Sequence, residues 1–258
     1  MTEKIIVENL AKKFRLGYKK QSLLASLVNL ISGQETKKDF LALKDVSFTT
    51  NAGEIIGIIG LNGAGKTTLL RTIAGIYQPD GGNLKINGKV IPLISLDVGL
   101  KSRLTMRENI YLGCSFFGLD KSDIKKIVTD IAQLAELENF IETKLYQFSS
   151  GMMARLVFAI AINSILQQNP DIILVDEVFA VGDAKFKRKS IAEMKKLKKI
   201  KATGLLVTHD LSMIREQCDR VIWLHQGRIV KQGNTEEVVK SYEEFIELNS
   251  NLINGKQD

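Results

Sequence analysis

The 258 residues, 45% apolar and 25% charged with three prolines, suffice for one large core or a core with an appended subdomain, and they exclude a disordered, repetitive or low-complexity chain. A formal net charge of +7 favours an anionic contact, whether nucleotide, nucleic acid or phospholipid headgroup, without choosing among them. The first fourteen residues hold no secretory-type apolar segment, and no run approaches the roughly 20 apolar residues of a spanning helix, so a cytoplasmic chain is expected.

In chain order, residues 4–7 suggest a first strand and residues 41–49 a second, followed by the turn Asn51-Ala52-Gly53. The apolar run 54–59 has the character of a buried strand. It leads into Gly60-Leu61-Asn62-Gly63-Ala64-Gly65-Lys66-Thr67-Thr68 and a helix-like segment at 69–74. This is a P-loop in its strand-loop-helix context. Gly60, Gly63 and Gly65 let the backbone wrap a phosphate, and the helix N-terminus adds positive partial charge. Lys66 is placed to reach the β- and γ-phosphates and Thr67 to hold a magnesium ion, while Asn62, Ala64 and Thr68 complete the nucleotide-binding loop.

Further on, Phe148-Ser149-Ser150-Gly151-Met152 opens an amphipathic run at 157–166. A hydroxyl and a backbone N–H at a helix start can cap the helix or hold a terminal phosphate. The buried-strand pattern Asp171-Ile172-Ile173-Leu174-Val175-Asp176-Glu177 ends in two carboxylates whose side chains alternate, so they cannot do one job. Asp176 is assigned to magnesium and Glu177 to the general base or water-positioning role. The basic stretch at 195–201 follows a helical pattern without interleaved aromatics and reads as a solvated face, not a nucleic-acid platform. Cys114 and Cys218 lack metal-ligand spacing and read as packed, reduced thiols.

Together these segments resemble the ATP-binding cassette (ABC) family, whose signature has the usual form Leu-Ser-Gly-Gly-Gln. Ser149 and Gly151 match it. Ala180-Val181-Gly182-Asp183 is similar to the D-loop, and Leu205-Leu206-Val207-Thr208-His209-Asp210 to the strand that ends in the switch histidine. The resemblance implies an α/β fold: a P-loop NTPase core of ABC type, with an N-terminal antiparallel β part and an inserted helical subdomain at about 97–156, in one ATPase domain spanning 1–258. It implies ATP and Mg2+ as cofactors, an adenine stacked on Phe14, Asp183 near the nucleotide, and His209 beside Glu177 as a catalytic contact to the γ-phosphate. It also implies a homodimer in which Ser149 and Gly151 of one copy close the other copy's site. One departure is the family's glutamine after the P-loop helix: no glutamine occurs between Gln78 and Gln133, and Ser95 or Asp97, or water, takes its place.

The subfamily narrows further. Leu104-Thr105-Met106-Arg107-Glu108-Asn109-Ile110 is similar to the Leu-Thr-Gly-Arg-Glu-Asn-Ile of exporters of long surface polysaccharides such as O-antigen, capsule or teichoic acid. The segments 149–152 and 176–183 resemble their versions as well. The insertion at 15–40 carries Leu23, Leu24, Leu27, Val28, Leu30 and Ile31 on one helical face, which the resemblance places near the membrane interface and which packing on the core would also explain. The implied partner is a separate integral permease that makes most contacts to the polysaccharide, with the chain peripheral on the cytoplasmic face of the membrane and no nucleic acid bound. Residues 235–245 read as a last helix, leaving no room for a carbohydrate-binding domain. The competing readings are the ATPase of an importer or drug exporter, which shares the mechanism, and a soluble ABC ATPase, which a single set of motifs disfavours.

Overall fold

The computed structural model describes residues 2–16, 38–94, 99–176, 186, 188–190, 192, 193 and 200–254. Strands β1 (Glu3–Leu16), β2 (Lys38–Asn51) and β4 (Gly81–Ile86) form an antiparallel sheet in the order β2-β1-β4. The second sheet runs β5 (Val90–Leu93), β6 (Ile172–Asp176), β7 (Thr203–Val207), β3 (Ile55–Ile59), β8 (Arg220–His225) and β9 (Arg228–Asn234). Its strands are parallel from β5 to β8, and only β9 is antiparallel, at the edge. The fold is therefore α/β with an antiparallel part, as expected.

Strand β1 runs well past the expected 4–7. Asn9 and, on β2, Asp45 adopt φ of 49° and 59°, and the register shifts between Val7 and Leu10. The bulge bends the strand and returns Leu10 to the core with 0% exposure, so a simple alternation does not reveal the continuation.

Both faces of the second sheet are covered, which is why its strands read as continuous apolar runs. On β6, Ile172 and Leu174 face a core shared with Ile56, Ile58, β1, β2 and helix α1 (Lys66–Ile73). Ile173 and Val175 face the opposite core, against helix α4 (Ser150–Gln168) and the C-terminal helix α5 (Thr235–Asn254). A third core joins α2 (Met106–Phe116), α3 (Lys121–Ala135) and the first half of α4.

Helix α4 serves two of these cores. Leu156, Ala159 and Ile160 point into the helical lobe, while Phe158, Ala161, Ile162 and Ile165 lie against the sheet. It is therefore apolar nearly all round, and at 19 residues it has the length and composition to cross a membrane. That corrects the expectation that no run comes close; here the apolarity comes from burial between two cores. Cys114 and Cys218 are both buried, and burial pushes the Cys114 thiol up to about 11.

Candidate active site

The loop after β3 is shaped by two glycines that no other residue could replace. Gly60 has φ of 151° and its missing Cβ would lie 2.1 Å from the Leu224 carbonyl oxygen. Gly65, at φ 105°, would place one 2.7 Å from the Ala42 oxygen. Gly63 requires its φ of 78° but has open space around it. The strands beside the loop thus clamp it at both ends.

Gly65 caps α1 in a left-handed conformation without a side-chain bond. The first amides of the helix therefore face the loop with their partial positive charge undiminished by a capping oxygen. Lys66, 7% exposed, donates to the carbonyls of Gly60 (2.8 Å) and Leu61 (3.2 Å). Its charge is held over the loop by the loop's own backbone.

A cleft of about 240 Å³ is lined by Phe40, Ala42, Asn62, Gly63, Ala64, Gly65, Lys66, Thr67, Thr68, Asp176 and His209. Nine of these were expected from sequence. They meet because β3, β6 and β7 are parallel and end on one side of the sheet. Asp176 terminates β6 at 9% exposure. His209 follows β7 in a turn stabilised by Asp210, whose carboxylate accepts from Ser212 N and Met213 N at 3.1 Å while its own amide donates to the Thr208 hydroxyl. Gly60 lies behind this cleft and lines an adjoining cavity of about 280 Å³ with Asn62, His209, Tyr242 and Ile246.

Phe14 lies outside this lining, as do Ser149 and Gly151, which are expected to close the site of a second copy. The Phe14 ring meets Tyr77 edge-on, with centroids 5.3 Å apart. Ser149 and Gly151 sit at the exposed N-terminus of α4, outside the lining. Ser149 caps that helix by accepting from Met152 N at 3.2 Å, and a Cβ on Gly151 would find only the Ser149 hydroxyl, at 3.9 Å. The signature therefore presents an open helix end, flanked by Phe148 and Met152 packed against the lobe core. Glu177 and Asp183, with Ser95 and Asp97, lie outside the described residues, as does most of the 15–40 insertion.

Sequence reasoning missed Phe40 and Ala42. Phe40 is the cross-strand partner of Phe14, and the signal that could have found it is that pairing. The segment 104–110, read as a subfamily mark, is a structural device here. Thr105 and Glu108 form a reciprocal capping box at the start of α2. Buried Asn109 accepts from Lys101 N at 2.7 Å and donates to the carbonyls of Lys101, Leu104 and Thr105.

The strand-loop-helix with its buried lysine, facing a strand-end aspartate and a switch-loop histidine, defines a P-loop nucleotide-binding cassette. Residues 43–180 match the family model described as ABC transporter, and the chain belongs to that family. Solved structures agree in fold: a dimeric post-hydrolysis ATP-binding cassette bound to ADP and Pi superposes with a TM-score of 0.69 at 25% identity, over 90% of this chain and 98% of that one. An ATP-binding subunit of an ABC transporter gives 0.68 at 24%, covering 93% of both chains.

Within the family, the chain is 40% identical over 99% of its length to the teichoic acids export ATP-binding protein TagH of Lactococcus lactis subsp. lactis (strain IL1403), of which it spans 54%. It is 36% identical to TagH of Listeria innocua serovar 6a (strain ATCC BAA-680 / CLIP 11262), over 94% of this chain and 70% of that protein. The O-antigen export system ATP-binding protein RfbB of Klebsiella pneumoniae is 39% identical over 80% of this chain and 82% of its own. The chain thus spans about half the length of one of these curated relatives and more than two thirds of the others.

Proposed function

We propose that this chain is the ATP-hydrolysing subunit of an ABC exporter of a long surface polysaccharide of the O-antigen, capsule or teichoic-acid class. One observation carries the ATPase part: a single cleft gathers the P-loop, Asp176 and His209, while the signature of the same chain lies outside it. Such a site is incomplete in one copy. A second copy brings Ser149 and Gly151 to the γ-phosphate, so the working unit is a homodimer with two shared sites.

In this reading the loop amides and Lys66 neutralise the phosphates, and Glu177 orients the attacking water or takes its proton. His209 donates to the γ-phosphate and Asp183 contributes to nucleotide binding. Thr67 and Asp176, both in the cleft lining, form a hard oxygen donor set suited to Mg2+. When bound there, that ion neutralises charge on the phosphates and helps orient them. The chain is read as one cassette, with the helical lobe of about 97–156 inserted between P-loop and Asp176. The polysaccharide assignment is supported by the relatives' named functions. It brings with it a separate integral permease and a peripheral position on the cytoplasmic face of the membrane.

Glu177→Gln tests the enzymatic core. Phosphate release should fall by about 10²–10⁴ while ATP and Mg2+ still bind, so the variant collects as an ATP-bound dimer in size-exclusion chromatography. Hydrolysis at the wild-type rate would remove Glu177 from the mechanism. The transport assignment is tested by depleting the chain in its source cells and measuring surface polysaccharide; an unchanged level overturns it.

A further inference from the structure

Asn62 and His209 line two spaces at once, the phosphate cleft and the adjoining cavity of about 280 Å³. They are therefore a shared wall, and whatever fills the second space touches residues of the first.

The fold creates this second cavity and keeps it open. Strands β3 and β7 are parallel neighbours and end side by side, at Ile59 and Val207. The chain leaving β3 turns at Gly60, which has no side chain to fill the corner. The far wall is Tyr242 and Ile246, one turn apart on α5. That helix is pinned on two sides. Tyr242 and Phe245 pack on the indole of Trp223, with ring centroids 5.6 and 5.1 Å from it. The short helix Leu211–Gln217 supplies a further wall residue, Leu211. Its Arg215 pairs with Glu243 at 2.8 Å and with Glu236 at 3.1 Å. Walls tied to one another in this way make a preformed cavity.

Its depth is apolar with one polar group. Ile59 is 1% exposed and Tyr242 5%, whereas Leu61, at 41%, marks the mouth. Buried phenols normally find a hydrogen-bond partner, yet Tyr242 makes no hydrogen bond among the described residues. Burial pushes the pKa of this phenol up, so it stays a neutral O–H donor.

We propose that this cavity binds a compact, largely apolar molecule carrying one hydrogen-bond acceptor, that Tyr242 donates to the acceptor, and that occupancy slows ATP hydrolysis through the shared wall. A cavity of about 150 Å³ holds benzene, so by proportion this one takes about eleven non-hydrogen atoms, the size of a bicyclic aryl ketone. The effect on hydrolysis rests on the nucleotide-binding reading above. A guest fitted to His209 where it stands loses contacts when that residue moves toward the γ-phosphate, so guest and catalysis oppose each other.

The test uses two probes of equal shape: 1-tetralone, which has the acceptor, and tetralin, which lacks it. Trp223 is the chain's single tryptophan, so 5-fluorotryptophan labelling gives one fluorine resonance, on the ring that packs against Tyr242. 1-Tetralone should shift it saturably. Tyr242→Phe should weaken 1-tetralone by about two- to tenfold, the range of one lost hydrogen bond, and leave tetralin unchanged. Ile246→Phe, which extends a ring into the cavity, should abolish binding of both. Phosphate release by the wild type should fall in parallel with the shift, and that of Ile246→Phe should not respond to the probe. The proposal is overturned if no saturable shift occurs, if Ile246→Phe binds as wild type does, if Tyr242→Phe weakens both probes alike or neither, or if a saturated cavity leaves phosphate release unchanged. A wild type that hydrolyses no ATP without probe fails the nucleotide-binding reading instead, and the fluorine resonance still decides the site.

Discussion

The Lys66 ammonium donates to the carbonyl of Gly60, 2.8 Å away across the loop that both residues bound. The same glycine backs onto the Leu224 carbonyl with no space for a side chain. The phosphate loop therefore takes its shape from the core strand β8 on one side and from its own lysine on the other. Gly60→Ala should force the loop away from β8, lowering thermal stability and abolishing ATP binding. Gly63→Ala, with open space but positive φ, should cost only about 1 kcal/mol of stability. Differential scanning fluorimetry and ATP titration of the two variants check this; equal loss of stability in both would show that contact with Leu224 is not what requires Gly60.

Asn109 gives a second prediction, on the helical lobe. It is fully buried and joins the segment before α2 to the first turn of that helix through four hydrogen bonds. Asn109→Leu keeps a similarly branched side chain but removes all four bonds, leaving the amide of Lys101 without its acceptor while the carbonyls of Lys101, Leu104 and Thr105 keep only their backbone donors from Leu104, Leu145 and Asn109. Losing the hydrogen bonds of this buried side chain should cost about 1–3 kcal/mol. Urea denaturation measures it, and a midpoint equal to wild type would remove the structural role assigned to this side chain.

At the opposite end of the sheet, Lys4 on β1 pairs with Asp171 at 2.7 Å, and Asp171 also accepts from Lys89 N at 2.9 Å. The hydrogen bond from Lys4, then that from Lys89, hold its carboxyl below the usual range. A depressed folded-state pKa contributes stability above the unfolded value, about 3.9, and loses it as pH falls through the folded value. The gap in melting temperature between wild type and Asp171→Asn should therefore be constant from neutral pH downward and close only below about pH 4. A gap that widened on acidification would contradict this sign.

Much of the site was legible because its parts are local in sequence. The run Gly60 to Thr68 carries its loop geometry in its glycine spacing, and Asp176 declares itself as the polar end of a buried strand. What stayed hidden depends on pairing between distant segments. Phe40 is placed by the register of β2 against Phe14, across an insertion whose length the alternation pattern does not bridge. The extent of β1 is concealed by the bulge at Asn9, where period-two patterning fails. Helix α4 has no single apolar stripe because two cores claim it, so its amphipathic reading covered only part of what it buries. The segment 104–110 was recognisable as a motif, yet its physical meaning, caps and a buried amide, needed coordinates.

The separation of Ser149 from the cleft yields the last prediction, on subunit sharing. If each nucleotide lies between the P-loop of one copy and the signature of the other, lesions in the two motifs complement each other in a mixed dimer. Ser149→Arg fills the open end of α4 with a bulky side chain, and Lys66→Ala removes the loop's charge; each homodimer carries one lesion in both of its sites. In the mixed dimer one site carries both lesions and the other carries neither. Mixing the two purified variants should therefore restore phosphate release, to about a quarter of the wild-type rate when sites fire independently, since random pairing yields mixed dimers for about half the population and one of two sites is intact in each. Varying the ratio of the two variants at constant total protein should give a maximum near equal concentrations. A mixture no more active than the better homodimer, in the presence of mixed dimers demonstrated by differently tagged copies, would mean either that both lesions act within one chain or that hydrolysis needs two intact sites. Disulfide-trapped dimers of one wild-type and one doubly substituted copy separate these, because each of their shared sites carries one lesion: they stay inactive if the sites are shared, and keep one working site if each site belongs to a single chain.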